Sequence, residues 1–167
     1  MKAITIMQPW ANLITTGDKI YETRGWKTEY RGPIAIHAGK QVDPNVGYLG
    51  CPLATLDWLV ECGITPHNIN DLPRGAIIAT AELVNIWKIV YHPGTNVDVA
   101  KHIDIGAESL TNDKHDPHFN DYFVPTGKEK AFGEWTPGRY AWELRNVKIL
   151  PEPIPMRGKQ GLWTWEE

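Results

Sequence analysis

The stretch Ala76 to Val90 constrains this chain more than any other. It is long, apolar and β-branched, with only Glu82 and Lys88 charged. Such a run reads as one extended strand buried on both faces. A carboxylate inside it is expensive unless paired. Glu82 is therefore expected to meet a cation, with Lys19 or Arg24 as the candidates.

The rest of the chain supplies partners for that strand. Lys2 to Met7, Ile20 to Trp26, Pro33 to Ala38, Arg139 to Val147 and Gly161 to Trp165 all carry strand character. Trp10, Leu13 and Ile14 form an i, i+3, i+4 helical face after Pro9, and Gly17 is its stop. Leu53, Leu56, Leu59 and Val60 mark a second helix ending near Gly63. Leu150 to Pro155 reads as a Pro-rich edge crossing. Residues 92–130 are polar and punctuated by Pro93, Gly94, Pro117, Pro125 and Gly127, so they read as a loop-rich insertion. The order points to an α+β domain around a curled sheet or small barrel.

The 167 residues suffice for one domain with a real core, and no linker divides them. Cys51 and Cys62 flank the second helix, about 16 Å apart if it is straight. That separation is too long for a disulfide. Two free thiols, together with an N-terminus lacking a signal-peptide core, suggest the cytoplasm. No run of 18 apolar residues appears, so no membrane span is expected. The net charge of -3 is unevenly spread: residues 1–40 carry six Lys or Arg against three Asp or Glu. Residues 41–125 carry four against eleven. An anionic ligand would thus be met by the N-terminal third, joined by Arg139, Arg145, Arg157 or Lys159. The bland alternative is a solvated mixed-sign surface.

Lys19, Glu22 and Arg24 follow directly after Gly17. In an extended segment Ile20, Glu22 and Arg24 share one face, while Tyr21 and Thr23 share the other. Glu22 can then hold the Arg24 fork for phosphate or base-edge recognition. The alternative is an exposed ion pair of little consequence. Trp10, Trp26 and Tyr30, with Trp142, place aromatic faces near these cations, as stacking of an unpaired base requires. Trp26 is the preferred stacking candidate, and Trp10, also a candidate, reads rather as core. His37 and Lys40, after the third strand, are candidate phosphate contacts, with His37 otherwise a satisfied strand histidine.

Gln8-Pro9-Trp10-Ala11-Asn12-Leu13-Ile14, then Gly17-Asp18-Lys19-Ile20-Tyr21-Glu22-Thr23-Arg24, then Trp26, is similar to the N-terminal signature of ASCH domains. Arg31-Gly32, the strand Ile34 to Ala38, Gly75 to Ala79 and Gly138 to Leu144 also resemble that family. The resemblance implies a PUA-like small β-barrel flanked by two or three helices. It also implies a charged cleft walled by the G-x-K-x-x-E-x-R residues, and it carries Arg31 into the candidate set. RNA or a nucleotide is the implied partner. Some members of the family look like hydrolases of RNA or of modified nucleosides, which makes Lys19 and Glu22 catalytic candidates. In the amide-hydrolysing group the motif reads G-x-K-x-x-T-x-R, with the threonine as nucleophile. Glu22 stands at that position here, and a carboxylate does not replace a hydroxyl nucleophile without a change of chemistry.

His115-x-x-His118, with His92, His102, Asp113, Asp116 and Asp121, has a plausible ligand spacing for a divalent metal. Surface histidines are common, so no metal or cofactor is assigned. Three function classes remain: an RNA- or nucleotide-binding module, a hydrolase at the same cleft, and a protein-interaction domain.

Overall fold

A computed structural model describes residues 1–46, 51–92, 97–102 and 122–166. The described residues form β1 (Lys2–Gln8), α1 (Trp10–Thr16), β2 (Tyr21–Arg24), β3 (Gly32–Val42) and α2 (Leu53–Glu61). They continue as a 3₁₀ turn (Ile69–Asp71), β4 (Ala76–His92), β5 (Val97–His102) and β6 (Tyr122–Phe123). The chain ends with α3 (Gly127–Ala131), β7 (Tyr140–Pro155) and β8 (Leu162–Thr164).

β4 is the centre of the sheet, as its apolar length requires. The strand order is β2-β7-β4-β3-β1-β8, with β5 and β6 added beside β4. One edge of β4 serves two neighbours: Ala76 to Leu83 pairs with β3, and Trp87 to His92 pairs with β5. The other edge pairs with β7 from Ala76 to Lys88. Alternation sends Ile4, Ile34, Ile36, Ile78 and Leu83 to one face, beneath Ala11 and Ile14 of α1. Ala3, Ala35 and Ile77 point to the other, under Trp163 and Trp165. Both faces are therefore buried, as expected of such a strand. β1 and β3 run parallel, which requires the chain to cross over between them. α1 and β2 fill that crossover. Leu59 of α2 packs with Ile64, Ile69, Leu13 and Phe132 at one end of the sheet.

Among the described residues the sheet is not closed into the expected barrel. β2 and β8 end the strand order and do not pair with each other. The physical reason lies on the free edge of β2, whose backbone groups are taken by side chains rather than by a strand. The Glu129 carboxylate accepts the N–H groups of Ile20 and Tyr21, the latter at 3.3 Å. The Lys19 ammonium donates to the Tyr21 carbonyl, and Arg139 Nη2 donates to the Thr23 carbonyl at 3.3 Å. An edge satisfied this way has no need of another strand.

Part of the span read as loop-rich is regular. β5, β6 and α3 lie within it, and Val99 and Ala100 are fully buried. β5 is strand because β4 offers it an open edge, a tertiary cause added to the short local alternation Val97-Asp98-Val99. Residues 93–96 and 103–121 lie outside the described residues, and with them His115, His118, Asp113, Asp116 and Asp121. Among the described residues no group of three metal-ligating side chains converges. No helix among them is long and apolar enough to cross a membrane.

Candidate functional site

α1 ends at Gly17, whose left-handed conformation (φ 81°) turns the chain back so that Lys19 N bonds to the Leu13 carbonyl at 3.0 Å. The turn drives the Lys19 side chain inward, leaving it 2% exposed. Its ammonium lies 3.6 Å from Glu22 Oε2. Burial pulls the Lys19 pKa below the ordinary lysine range, against the opposing pull of Glu22 and Glu129. The other oxygen of Glu22 lies 3.1 Å from Arg24 Nε, and Arg24 Nη2 donates to the Thr5 carbonyl at 2.7 Å. Lys19, Glu22, Arg24 and β1 thus form one connected chain of charge and backbone. Glu22 and Arg24 lie on a common face, as the period-2 reading required. On the other face Tyr21 stacks on Phe123 at 4.7 Å, and the Thr23 hydroxyl accepts the Glu134 N–H at 2.9 Å.

Glu22, Arg24 and Trp26 line a cleft of about 750 Å³ with Trp10, Lys130, Phe132, Glu134 and Arg139. Trp26 is 36% exposed and stands edge-on to the fully buried Trp142, with ring centroids 4.6 Å apart. Trp142 is thereby a support beneath the cleft, not one of its walls. Trp10 spends its polar edge on Asp43 Oδ2 (2.7 Å) and its ring on Phe132 (5.8 Å), so it is a half-buried wall. Arg139, which also lines the cleft, is held by Glu134 at 3.2 Å.

The structure separates the remaining candidates. Lys19 sits behind Glu22 and does not line the cleft. His37 and Lys40 line a neighbouring hollow. Arg31 Nη1 donates to the carbonyls of Thr28 (3.0 Å) and Tyr30 (2.9 Å), closing its own turn. Glu82 meets neither Lys19 nor Arg24. It accepts from Asn146 Nδ2 at 2.5 Å, where the β4–β7 register shifts and Asn146 takes a positive φ of 51°. The shift turns Glu82 out of the core, so an amide suffices in place of a cation. Arg145 is likewise spent, on Glu143 at 2.7 Å.

Sequence reasoning missed Glu129. Burial raises its carboxyl pKa, opposed by the N–H of Ile20 and by Lys19. It lies 109 residues from Ile20, in a span with no helical periodicity, so nothing local could have placed it there. Asp18 and Lys128 fasten the same junction through an ion pair of 2.8 Å.

The ASCH domain family model matches residues 4–148, and the chain belongs to that family. Among solved structures, the chain is similar to ASCH from Zymomonas mobilis, with 16% identity and a TM-score of 0.48. That match covers 99% of this chain and 87% of the other. A mutant of the same Zymomonas mobilis protein matches at 16% identity and a TM-score of 0.43, covering 99% and 89%. No curated protein sequence matches the chain.

Proposed function

We propose that the cleft binds RNA or a nucleotide by taking one unpaired base between Trp26 and the Glu22–Arg24 pair. One observation carries this reading. Glu22 is a carboxylate only 8% exposed, held from both sides by Lys19 and Arg24, in the wall of a cleft rimmed by an exposed tryptophan. A carboxylate fixed in this way presents its free lone pairs in one direction, as hydrogen bonding to the amino edge of a base requires. Trp26 supplies the stacking face. Arg24 and Lys130 supply positive charge for a phosphate. The same reading takes residues 1–167 as one cytoplasmic domain.

Fluorescence anisotropy with short labelled RNAs tests it. Arg24→Ala is expected to weaken binding at least tenfold, and wild-type affinity is expected to fall as salt rises. Unchanged affinity in Arg24→Ala refutes the cleft assignment.

A hydrolase at the same cleft is the second reading, favoured by the position of Glu22 beside a buried lysine. Because Lys19 is shielded from the cleft, Glu22 would be the group to reach a substrate water. Incubation with RNA and with acylated nucleosides, with and without divalent metal, decides it. Absence of turnover under every condition excludes this reading.

A further inference from the structure

Met7, Arg24 and Trp26 line the cleft on one side and a second hollow, of about 920 Å³, on the other. The far wall of that hollow is built from β3 and the segment between β7 and β8. Among the described residues its charged side chains are Arg24, Lys40, Arg157 and Lys159, and no carboxylate lines it. Among the described residues Lys40, Arg157 and Lys159 enter no ion pair. In a protein of net charge -3 this is an unusual concentration. Like charges gathered in one concavity repel each other, so the arrangement does not serve folding.

The cations stand on anchored backbone. The Lys40 stem packs against Gly75, where an added Cβ would lie 3.3 Å from Lys40 Cγ. The Lys159 carbonyl accepts the Thr5 hydroxyl at 2.9 Å, and its ammonium lies 5.9 Å from the Trp163 ring centroid. Gly158 sits against the His37 ring so closely that a Cβ would meet Nδ1 at 2.6 Å. His37 is 1% exposed, and its Nε2 lies 3.2 Å from the Met156 carbonyl. Burial lowers its pKa, so the charge of the hollow comes from the lysines and arginines. Arg157 and Lys159 lie beyond the residues matched by the family model.

We infer that this hollow holds the phosphodiester backbone of a single-stranded nucleic acid, next to the nucleotide whose base enters the cleft. The inference rests on the cleft reading. A strand leaving the cleft over the Arg24–Trp26 ridge passes directly into a basic concavity whose described lining holds no carboxylate to repel it. A repeating phosphate chain matches several separate cations, where a lone nucleoside in the cleft would meet Arg24 but not Lys40, Arg157 or Lys159.

The test uses wild-type protein and the triple variant Lys40→Ala/Arg157→Ala/Lys159→Ala. The three side chains are exposed, so an unchanged melting temperature is expected to confirm folding. Free nucleosides, which carry no phosphate, probe the cleft by NMR titration. Labelled oligoribonucleotides probe the whole track by anisotropy across a salt series. The triple variant is expected to keep nucleoside binding. Its salt slope for the oligomer is expected to fall by about 2, at about 0.7 per phosphate contact. Over a fourfold rise in salt, that amounts to about a twentyfold smaller loss of affinity than in wild type. An oligomer slope unchanged in the triple variant overturns the hollow while leaving the cleft intact. Nucleosides that fail to bind wild type overturn the cleft instead. Displacement of the oligomer by an acidic peptide as effectively as by polyphosphate would show a protein-docking surface and overturn the inference.

Discussion

Replacement of Lys19 by methionine probes the arrangement behind Glu22 most directly. The side chain is 2% exposed, its ammonium is 3.6 Å from Glu22, and it donates to the Tyr21 carbonyl at the edge of β2. Methionine fills a similar volume but removes the charge and the donors. Glu22, itself 8% exposed, is left with Arg24 at 3.1 Å as its cation, and Glu129 loses the lysine that opposes its rise in pKa. Removal of one partner from a buried pair destabilises by about 3–5 kcal/mol, because the remaining charge is uncompensated. Two features reduce that figure here. Arg24 persists, and the wild-type ammonium already carries a desolvation penalty, as its lowered pKa shows. A loss of about 2–3 kcal/mol is therefore expected for Lys19→Met. In a domain of this size that corresponds to a fall in Tm of about 4–12 °C. Urea denaturation followed by tryptophan fluorescence measures it. Lys19→Met/Glu22→Gln removes both charges and is expected to be more stable than Lys19→Met alone. If the single variant loses less than about 0.5 kcal/mol, or the two substitutions simply add, Lys19 does not neutralise Glu22 and the reasoning is wrong.

Three further outcomes are expected. Trp26→Ala should weaken RNA affinity roughly 5- to 150-fold, the worth of about 1–3 kcal/mol for one stacked base; unaltered anisotropy titrations would remove Trp26 from the site. Gly158→Ala should lose about 1–3 kcal/mol through overpacking, since its Cβ would clash with His37 Cε1 and lie 2.8 Å from Thr5 Oγ1. Partial relief by His37→Ala in the same chain, seen in thermal melts, would locate the clash. His37 has a folded-state pKa depressed by burial, so its contribution to stability is present above its ordinary value and lost as pH falls through the folded one. Wild type should consequently lose more stability than His37→Gln between about pH 7.5 and about pH 5, and equal denaturation midpoints at both ends would contradict this.

The sequence by itself determined the parts of this protein that depend on local period. Ala76 to Val90 announced a strand buried on both faces, and β4 is that strand. Gly17 announced the end of α1, and the alternation after it placed Glu22 and Arg24 on one face with Tyr21 and Thr23 on the other. The motif from Gln8 to Trp26 carried the family, which the match over residues 4–148 bears out. These are relations between residues a few positions apart, and chain geometry alone sets them.

Tertiary structure alone decided the rest. Whether the sheet closes depends on what meets the free edge of β2, and Glu129 and Arg139 reach it from more than 100 residues away. The direction of Glu82 depends on a register shift against β7, so it meets the Asn146 amide and not the expected cation. Lys19 was expected to point into the cleft, but the turn at Gly17 buries it behind Glu22. The basic hollow joins Lys40 of β3 to Arg157 and Lys159 before β8; charge named all three as partners for an anion, but only the fold brings them to one hollow. A strand declares its own period but not its neighbours, and both the cleft and the hollow are made by neighbours.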